Sequence, residues 1–197
     1  MKPIIYLTGA PATGKSTLSR NLAKQYPELL VFAYSEQLRE HLAGKSGGPS
    51  VSESEIRQKS SLLVTPQDID DLDQKLVDLV RETRVSRPVL IDSHPVTKEA
   101  YGFRVTGFST DRLLQLKPDV IVCLYASNEV IISRISAHSQ GRPVVSELEA
   151  SFHTQLQASV ATQYGVILGK PVYLVDSAIS ETDLVHLVAS KAKLAQR

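Results

Sequence analysis

The sequence predicts an α/β fold in three layers, with a parallel sheet of roughly five strands between two layers of helices. Two observations predict it. Short, continuous apolar runs alternate along the chain with longer segments whose apolar residues recur at helical spacing. Runs without polar interruption are typical of parallel strands, which are buried on both faces. The chain has 197 residues, of which 42% are hydrophobic, and this is enough for one domain with a small insertion.

Five segments are predicted as strands because they are short, apolar and rich in residues that favour β-structure. In chain order they are residues 4–8, 31–34, 88–92, 120–125 and 172–175. The first of them runs directly into a glycine-rich turn. Because helical patterns separate the strands, each pair of successive strands is expected to be parallel.

The helices between these strands are predicted from their apolar spacing and their caps. The first has Leu18, Leu22 and Tyr26 on one face. In the segment TPQD at 65–68, the threonine is a cap, proline takes the first helical position and the aspartate stands three residues after the cap. The remaining helix starts are predicted at Ser127, at Ser146 with Glu149, and at Ser180 with Asp183.

Composition excludes several classes of protein. The 22 lysines and arginines nearly balance the 21 aspartates and glutamates, so a net charge of +1 gives no reason to expect a nucleic-acid partner. A single cysteine, Cys123, excludes an internal disulfide and a multi-cysteine zinc site. The longest apolar run is far shorter than the ~20 residues of a membrane helix, and the start of the chain lacks the cleavage site of a secretory signal. We therefore expect a cytoplasmic protein with small-molecule substrates, either a monomer or a small homo-oligomer.

A glycine-rich loop with the sequence GAPATGKS, residues 9–16, is the strongest indication of function. It matches the pattern GxxxxGK[ST] and stands between a predicted strand and a predicted helix, as phosphate-binding loops do. Glycines let backbone N–H groups turn toward phosphate oxygens, and the N-terminus of the following helix favours an anion. Lys15 adds a mobile cation, and the Ser16 hydroxyl can ligate Mg²⁺. The loop predicts binding of a nucleoside triphosphate but does not identify the reaction.

Three more segments carry polar residues near the ends of predicted strands. They are residues 31–40 (VFAYSEQLRE), 89–94 (VLIDSH) and 101–108 (YGFRVTGF). An arginine on the first turns of a helix beside the loop, such as Arg39, can direct a bidentate donor at a phosphate. A carboxylate at the end of a buried strand, such as Asp92, can hold Mg²⁺ through water. A solvated surface arginine and a turn-capping aspartate are the alternative interpretations.

Together with the loop, these segments resemble the P-loop nucleoside monophosphate kinases, and most closely the archaeal-type adenylate kinases. The resemblance covers nearly the whole chain, most clearly residues 1–40 and 88–176. It implies a single P-loop kinase domain over residues 1–197, with a helical acceptor-binding insertion at about 35–85 and a short lid at about 137–146. It also implies that ATP is the phosphoryl donor and that Mg²⁺ is the metal cofactor.

The resemblance further implies roles for single residues. The residues that it places on ATP are Gly9, Ala10, Pro11, Ala12, Thr13, Gly14, Lys15, Ser16, Thr17 and Arg134, the last against the adenine. The residues that it places at the acceptor are Tyr34, Ser35, Arg39, Arg57, His94, Gly102 and Arg104. Lys15, Arg39 and Arg142 are implied to be catalytic, and Ser16 and Asp92 to hold Mg²⁺. A surface ion pair for Arg57 and an ordinary loop histidine for His94 are the alternatives that the residues leave open.

The predicted lid departs from the family pattern. It holds only Arg142, where typical members have several arginines and aspartates, and the residues after it are Pro-Val-Val. His153 lies roughly where bacterial members place another arginine. Fewer cations at the transferring phosphoryl group imply weaker stabilisation of its charge.

Three functions are compatible with these observations. The leading one is transfer of the γ-phosphoryl group of ATP to a nucleoside monophosphate such as AMP, which needs no general base because phosphate is already a nucleophile. In the second, the acceptor is a hydroxyl compound such as a nucleoside or a sugar acid, and Glu36 or Asp92 is the base. The third is a nucleotide-binding switch or an ATPase with little transfer.

Overall fold

The computed structural model describes residues 1–46, 64–137 and 145–195. The strands are β1 (Ile4–Gly9), β2 (Leu30–Ala33), β3 (Val89–Asp92), β4 (Val96–Glu99), β5 (Gly102–Val105), β6 (Val120–Tyr125) and β7 (Val172–Asp176). The helices are α1 (Lys15–Gln25), α2 (Tyr34–Ser46), α3 (Pro66–Thr83), α4 (Thr110–Leu116), α5 (Asn128–Ala137), α6 (Glu147–Leu168) and α7 (Glu181–Lys191).

Five of the strands form one parallel sheet in the order β2-β3-β1-β6-β7. These are the five strands that the sequence predicts. Asp92, the last residue of β3, lies beside Leu7 of β1 and Ala33 of β2, and Gly9 at the end of β1 lies beside Leu124 of β6. The carboxyl ends of four strands therefore meet at one edge of the sheet, next to the glycine-rich loop. Ligands of open parallel sheets bind at this edge.

The side chains of β1 alternate between two hydrophobic cores, one on each face of the sheet. Tyr6 is fully buried among side chains of α2, α3, α4 and α6, including Leu76 of α3. Ile5 is fully buried on the other face, among side chains of α1 and α7, including Leu22 and Val188. Helices thus cover both faces, which confirms the predicted three layers. No helix within the described residues is long and apolar enough to cross a membrane.

The predicted helix caps are confirmed by their hydrogen bonds. The side chain of Thr65 accepts from the backbone N–H of Asp68, the Asp68 side chain accepts in return, and proline is the first helical residue of α3. Ser146 and Glu149 make the same reciprocal pair at the start of α6. Ser180 caps α7 through the N–H of Asp183. Each cap satisfies backbone donors that the helix itself leaves unpaired.

Three features differ from the sequence prediction or were not part of it. Strand β2 ends at Ala33, and Tyr34, which was predicted as its last residue, begins α2 instead. The physical reason is that the neighbouring strand β3 ends at Asp92, beside Ala33, so Tyr34 has no strand residue to pair with. Its hydroxyl donates to Asp73 of α3 at 2.7 Å. The antiparallel hairpin of β4 and β5 and the short helix α4 were not predicted. The proposed insertion at 35–85 includes α2 and α3, and the proposed lid falls mostly on residues 138–144, outside the described residues.

Candidate functional site

The loop between β1 and α1 has the backbone conformation that its glycines permit. Gly14 has a φ of 86° directly before α1, and Ala12 has a positive φ of 63°. A Cβ atom at Gly9, where φ is +147°, would lie 2.5 Å from the carbonyl oxygen of Leu124 on β6. Only glycine therefore fits where the loop leaves the sheet. The loop and the first turn of α1 line the same cavity, so backbone donors of both can serve one anion.

The ammonium group of Lys15 lies against this loop. Its Nζ donates to the carbonyl oxygen of Gly9 at 2.6 Å and to that of Ala10 at 3.0 Å. The buried hydroxyl of Thr13 donates to the same Ala10 carbonyl at 2.7 Å. The ammonium group is therefore held where an anion bound by the loop would contact it. A hydrogen bond between an ammonium group and an anion is stronger than one between two neutral groups.

Arg134 on α5 joins the loop to the segment that follows β7. Its guanidinium donates to the carbonyl oxygen of Ala12 at 3.1 Å and to the hydroxyl and carbonyl oxygens of Ser177 at 3.2 and 3.0 Å. Three hydrogen bonds fix the plane of the group at the wall of the cavity. A fixed, planar cation is suited to stack on a heterocyclic base, as the family resemblance implies for this residue.

Asp92 lies at the end of β3, beside the strand that leads into the loop. The carboxylate is 9% exposed and accepts a hydrogen bond from Ser19 of α1 at 3.2 Å. Burial raises the pKa of Asp92, and the nearby charge of Lys15 opposes that rise. The side chain of Ser16, at the start of α1, is exposed.

The donor set at this place fits Mg²⁺. A hydroxyl and a carboxylate, Ser16 and Asp92, are hard oxygen donors, and Mg²⁺ binds few protein groups because it keeps most of its waters. Within the described ranges, there is no group of three or more His, Cys, Asp or Glu side chains that could hold a metal ion by itself. The site therefore suits a metal ion that is also bound by the phosphates of a ligand.

One cavity of about 1550 Å³ joins the loop to a second wall, which is built by α2, α3 and the segment before α4. Typical small-ligand pockets measure roughly 300–1,000 Å³, so this cavity can take more than one such ligand. The predicted site residues that line it are Ala10, Pro11, Ala12, Thr13, Gly14, Lys15, Ser16, Thr17, Tyr34, Ser35, Arg39, Asp92, His94, Arg104 and Arg134.

Two predicted residues of the described part of the chain, Gly9 and Gly102, do not line the cavity. Gly9 lies beneath the loop and contributes its carbonyl oxygen to Lys15. Gly102 begins β5, at the turn of the hairpin. Arg57 and Arg142 lie outside the described residues, so their roles stay predictions.

Arg39 faces the cavity from α2, on this second wall. In the part of the chain that the structure describes, its guanidinium makes no hydrogen bond or ion pair. Arg104 also lines the cavity, but its guanidinium lies 3.4 Å from the buried carboxylate of Glu99, which balances its charge. Of the two arginines predicted at the acceptor, Arg39 is therefore the one whose charge is not offset by a carboxylate of the described residues.

Sequence reasoning missed Asp73, which contacts the predicted residue Tyr34 on this same wall. Tyr34 contacts the ring of Phe108 with centroids 6.1 Å apart, and its hydroxyl donates to Asp73 at 2.7 Å. Burial raises the pKa of Asp73 to about 6, although the Tyr34 hydrogen bond and the charge of Arg112 lower it. One pattern could have revealed Asp73, because it is an acidic residue on the apolar stripe of α3, between Ile69 and Leu76.

A second group that sequence reasoning missed lies under the β4–β5 hairpin. Gln157 of α6 is fully buried, accepts from the hydroxyl of Thr8 at 3.1 Å and donates to the carbonyl oxygen of Val96 at 3.3 Å. His153 contacts the same Val96 carbonyl at 3.0 Å. Burial lowers the pKa of His153 to about 4, so its ring is neutral at pH 7. It therefore does not supply the positive charge of an arginine at this place.

Comparisons with known proteins agree with this geometry. A family model described as an AAA domain matches residues 8–150. The adenylate kinase of Pyrococcus abyssi (strain GE5 / Orsay) is 23% identical over 169 residues, which are 84% of this chain and 82% of that protein. The solved structure of the Deinococcus radiodurans tunicamycin resistance protein has a TM-score of 0.61 and 18% identity, over 99% of this chain and 98% of the other. The deoxyadenosine kinase of M. mycoides has a TM-score of 0.57 and 13% identity, over 98% and 100% of the two chains.

The two structural likenesses show the fold, and they confirm the three-layer α/β architecture with a parallel sheet. The resemblance to P-loop kinases that the sequence indicated is also confirmed. Because the family model spans well over half of the chain, the chain belongs to the AAA domain family.

Proposed function

We propose that the protein transfers the γ-phosphoryl group of ATP to a nucleoside monophosphate, with AMP as the first candidate. The observation that carries the proposal is the position of Arg39, which lines the same cavity as Lys15 but from α2, the helix after β2, whereas Lys15 begins the helix after β1 and β3 lies between these two strands. An acceptor that is itself a phosphate needs a cation on its own side of the cavity. A neutral hydroxyl acceptor would bring no negative charge to Arg39, which has no ion pair within the described residues.

In this reaction the chain positions two phosphates and offsets their charge. The loop and Lys15 hold the terminal phosphates of ATP, and Arg134 stacks on the adenine. Arg39 holds the acceptor phosphate so that one of its oxygens attacks the γ-phosphorus while the bond to the β-phosphate oxygen breaks. Mg²⁺, held by Ser16 and through water by Asp92, would neutralise charge on the phosphates. No base is needed, since the acceptor phosphate is ionised at neutral pH.

A hydroxyl acceptor is the second candidate, and the environment of Asp92 favours it. This carboxylate is buried next to the loop, and a raised pKa makes it a stronger base than an exposed aspartate. Glu36, the other candidate base, is exposed at the cavity wall. A solved structural neighbour is named as a deoxyadenosine kinase, which is compatible with either candidate at the level of fold alone.

The Arg39→Ala variant tests the leading proposal. A charge-assisted hydrogen bond is worth about 1.5–3 kcal/mol, so kcat/KM for the monophosphate is expected to fall roughly 10- to 150-fold. The KM for ATP should stay within about twofold, because Arg39 is on the wall built by α2 and α3. The control is Arg81→Ala, which removes an exposed arginine that pairs with Asp78 on α3. An equal loss for ATP and acceptor, or no loss for the acceptor, would show that Arg39 does not bind the acceptor phosphate.

A further inference from the structure

A buried carboxylate at the acceptor wall has no part in the reaction described above. Asp73 of α3 is 6% exposed and lines the cavity. Its Oδ1 accepts the hydroxyl proton of Tyr34 at 2.7 Å. Across residues 1–46, 64–137 and 145–195, no hydrogen bond engages its other oxygen, Oδ2. A largely buried carboxylate is costly unless donors meet its charge, and a ligand in the cavity can supply a donor to Oδ2.

The side chains around Asp73 form an aromatic and apolar wall of the cavity. Tyr34 and Phe108 meet at an interplanar angle of 70°, and Tyr164 stands behind Phe108 with ring centroids 6.2 Å apart. The backbone N–H of Phe108 donates to the Tyr164 hydroxyl at 2.6 Å, which fixes this aromatic wall. Ile69 of α3 lines the cavity beside them. Apolar and aromatic walls with one polar group are typical of pockets that orient a heterocycle by its edge.

The charges near Asp73 leave it ionised at neutral pH. The groups that face it are the hydroxyls of Tyr34 on α2 and Tyr164 on α6, Asp70 on its own helix, and Arg112 on α4. The guanidinium of Arg112 does not bond to Asp73, because it donates to Gln74 and Asp70. A pKa of about 6 keeps the Asp73 carboxyl mostly charged at pH 7.5.

An ionised carboxylate only accepts hydrogen bonds. The part of a ligand that meets Oδ2 must therefore donate an N–H or O–H. Among nucleobases, adenine, cytosine and guanine have an exocyclic amino group. Hypoxanthine and uracil have carbonyl oxygens in place of these amino groups and keep only a ring N–H. A base held with its exocyclic group at Oδ2 would therefore place an oxygen against the negative charge in these two cases.

We propose that Oδ2 of Asp73 accepts a hydrogen bond from the exocyclic amino group of the acceptor's base, so that the acceptor is a nucleotide with an amino-bearing base. The inference rests on the proposed function, because it places a nucleotide at the acceptor wall. It makes Asp73 the residue that selects the base, while Arg39 holds the phosphate.

Two matched substrate pairs test this inference. IMP differs from AMP by a carbonyl oxygen in place of the amino group, and UMP differs from CMP in the same way. With ATP saturating, kcat/KM is measured for all four in the wild type and in Asp73→Asn. The wild type is expected to prefer AMP over IMP by about 10-fold or more, the scale of a charge-assisted hydrogen bond. In Asp73→Asn, which removes the charge and offers an N–H donor, the ratio should fall about 10-fold.

The control is Asp78→Asn, which makes the same change of charge on an exposed position of α3 and should leave the ratio unchanged. If Asp73→Asn does not fold, the wild-type ratios still decide. A wild type that uses IMP as well as AMP, or an Asp73→Asn enzyme with the wild-type ratio, overturns the inference and leaves the proposed function standing. A wild type that consumes ATP with a hydroxyl acceptor but with none of the four monophosphates overturns both.

Discussion

Lys15 is the residue on which the chemistry of the loop depends most directly. Its ammonium group lies on the carbonyl oxygens of Gly9 and Ala10, at the place where the loop would hold the phosphates to be transferred. We expect Lys15→Ala to lower kcat by at least about 100-fold, the scale of losing one group that stabilises charge in the transition state. The fold should be retained, because the side chain lies outside both hydrophobic cores.

The measurement is turnover with ATP and AMP, together with thermal unfolding of the variant. Lys24→Ala is the matched control, since Lys24 is an exposed lysine in the last turn of the same helix. Turnover of Lys15→Ala close to that of the wild type would contradict the assignment of the loop.

His153 makes the stability of the protein depend on pH. Burial lowers its pKa from 6.5 to about 4, and the charges of Lys15 and Lys98 add to this effect. Between these two values the unfolded chain binds a proton that the folded chain does not. The contribution of His153 to the free energy of unfolding is therefore fully present above pH 6.5. It is lost as the pH falls toward 4, by at most about 1.4 kcal/mol per pH unit.

The His153→Gln variant isolates this contribution. Glutamine does not titrate, and its amide can still donate to the carbonyl oxygen of Val96. Urea unfolding at pH 7.5 and pH 4.5 is expected to show a loss of free energy that is about 2 kcal/mol larger for the wild type than for His153→Gln. Equal losses in the two proteins would show that folding does not lower the pKa of His153.

At the level of helices and strands, the sequence predicted the features that depend on contacts between residues close together in the chain. The caps at Thr65 and Ser146 are hydrogen bonds between residues three positions apart, so the sequence alone reveals them. The loop and the strand end at Asp92 are likewise recognisable from adjacent residues. The β4–β5 hairpin was not predicted because its strands, Val96–Glu99 and Gly102–Val105, are short, partly polar and outside the main sheet.

The missed parts of the candidate site depend on contacts between distant residues. Asp73 meets Tyr34 across 39 positions of the chain, and Gln157 meets Thr8 across 149 positions. Nothing within either segment specifies the partner. Asp73 and Gln157 are polar groups in buried positions, and such groups are retained only where a hydrogen-bond partner is present.

Two helical glycines are predicted to respond in opposite ways to replacement by alanine. A Cβ atom at Gly165 of α6 would lie 2.1 Å from Cγ2 of Val172, and 3.0 Å from the backbone oxygen of Lys170. At Gly44 of α2 no atom of the described residues lies within 4 Å of the new atom, and the position is exposed. Gly165→Ala is expected to destabilise by about 1–3 kcal/mol, since the added methyl overpacks the contact between α6 and β7. Gly44→Ala should stabilise by about 0.5–1 kcal/mol.

Urea unfolding of the two variants beside the wild type measures both effects. A neutral or stabilising Gly165→Ala would mean that β7 moves freely away from α6. That result would contradict the close packing of this helix on the edge of the sheet.

At the scale of the whole molecule, one cavity has two walls of different character. The loop wall has backbone donors, Lys15 and Arg134, and the wall built by α2 and α3 has Arg39 and the aromatic side chains around Tyr34. A ligand that carries two adenosines on one phosphate chain should engage both walls at once. Diadenosine pentaphosphate is therefore expected to raise the melting temperature more than ATP does at the same concentration, because linked groups bind with a high effective concentration.

The melting temperature is measured with ATP, with ATP plus AMP, and with diadenosine pentaphosphate. Arg39→Ala provides the control, since it should reduce the shift by diadenosine pentaphosphate while leaving the shift by ATP in place. Equal shifts by ATP and by the linked compound would indicate a single nucleotide site.

The central claim is that the acceptor is a phosphate and not a hydroxyl group, and the identity of the labelled product tests it most directly. Wild-type protein is incubated with Mg²⁺ and ATP labelled in the γ-phosphate, with AMP in one reaction and adenosine in another, and the products are separated. The proposed function predicts label in the β-phosphate of ADP formed from AMP, with no labelled AMP formed from adenosine. Label transferred to adenosine, or released as free phosphate at the same rate with and without AMP, would contradict it.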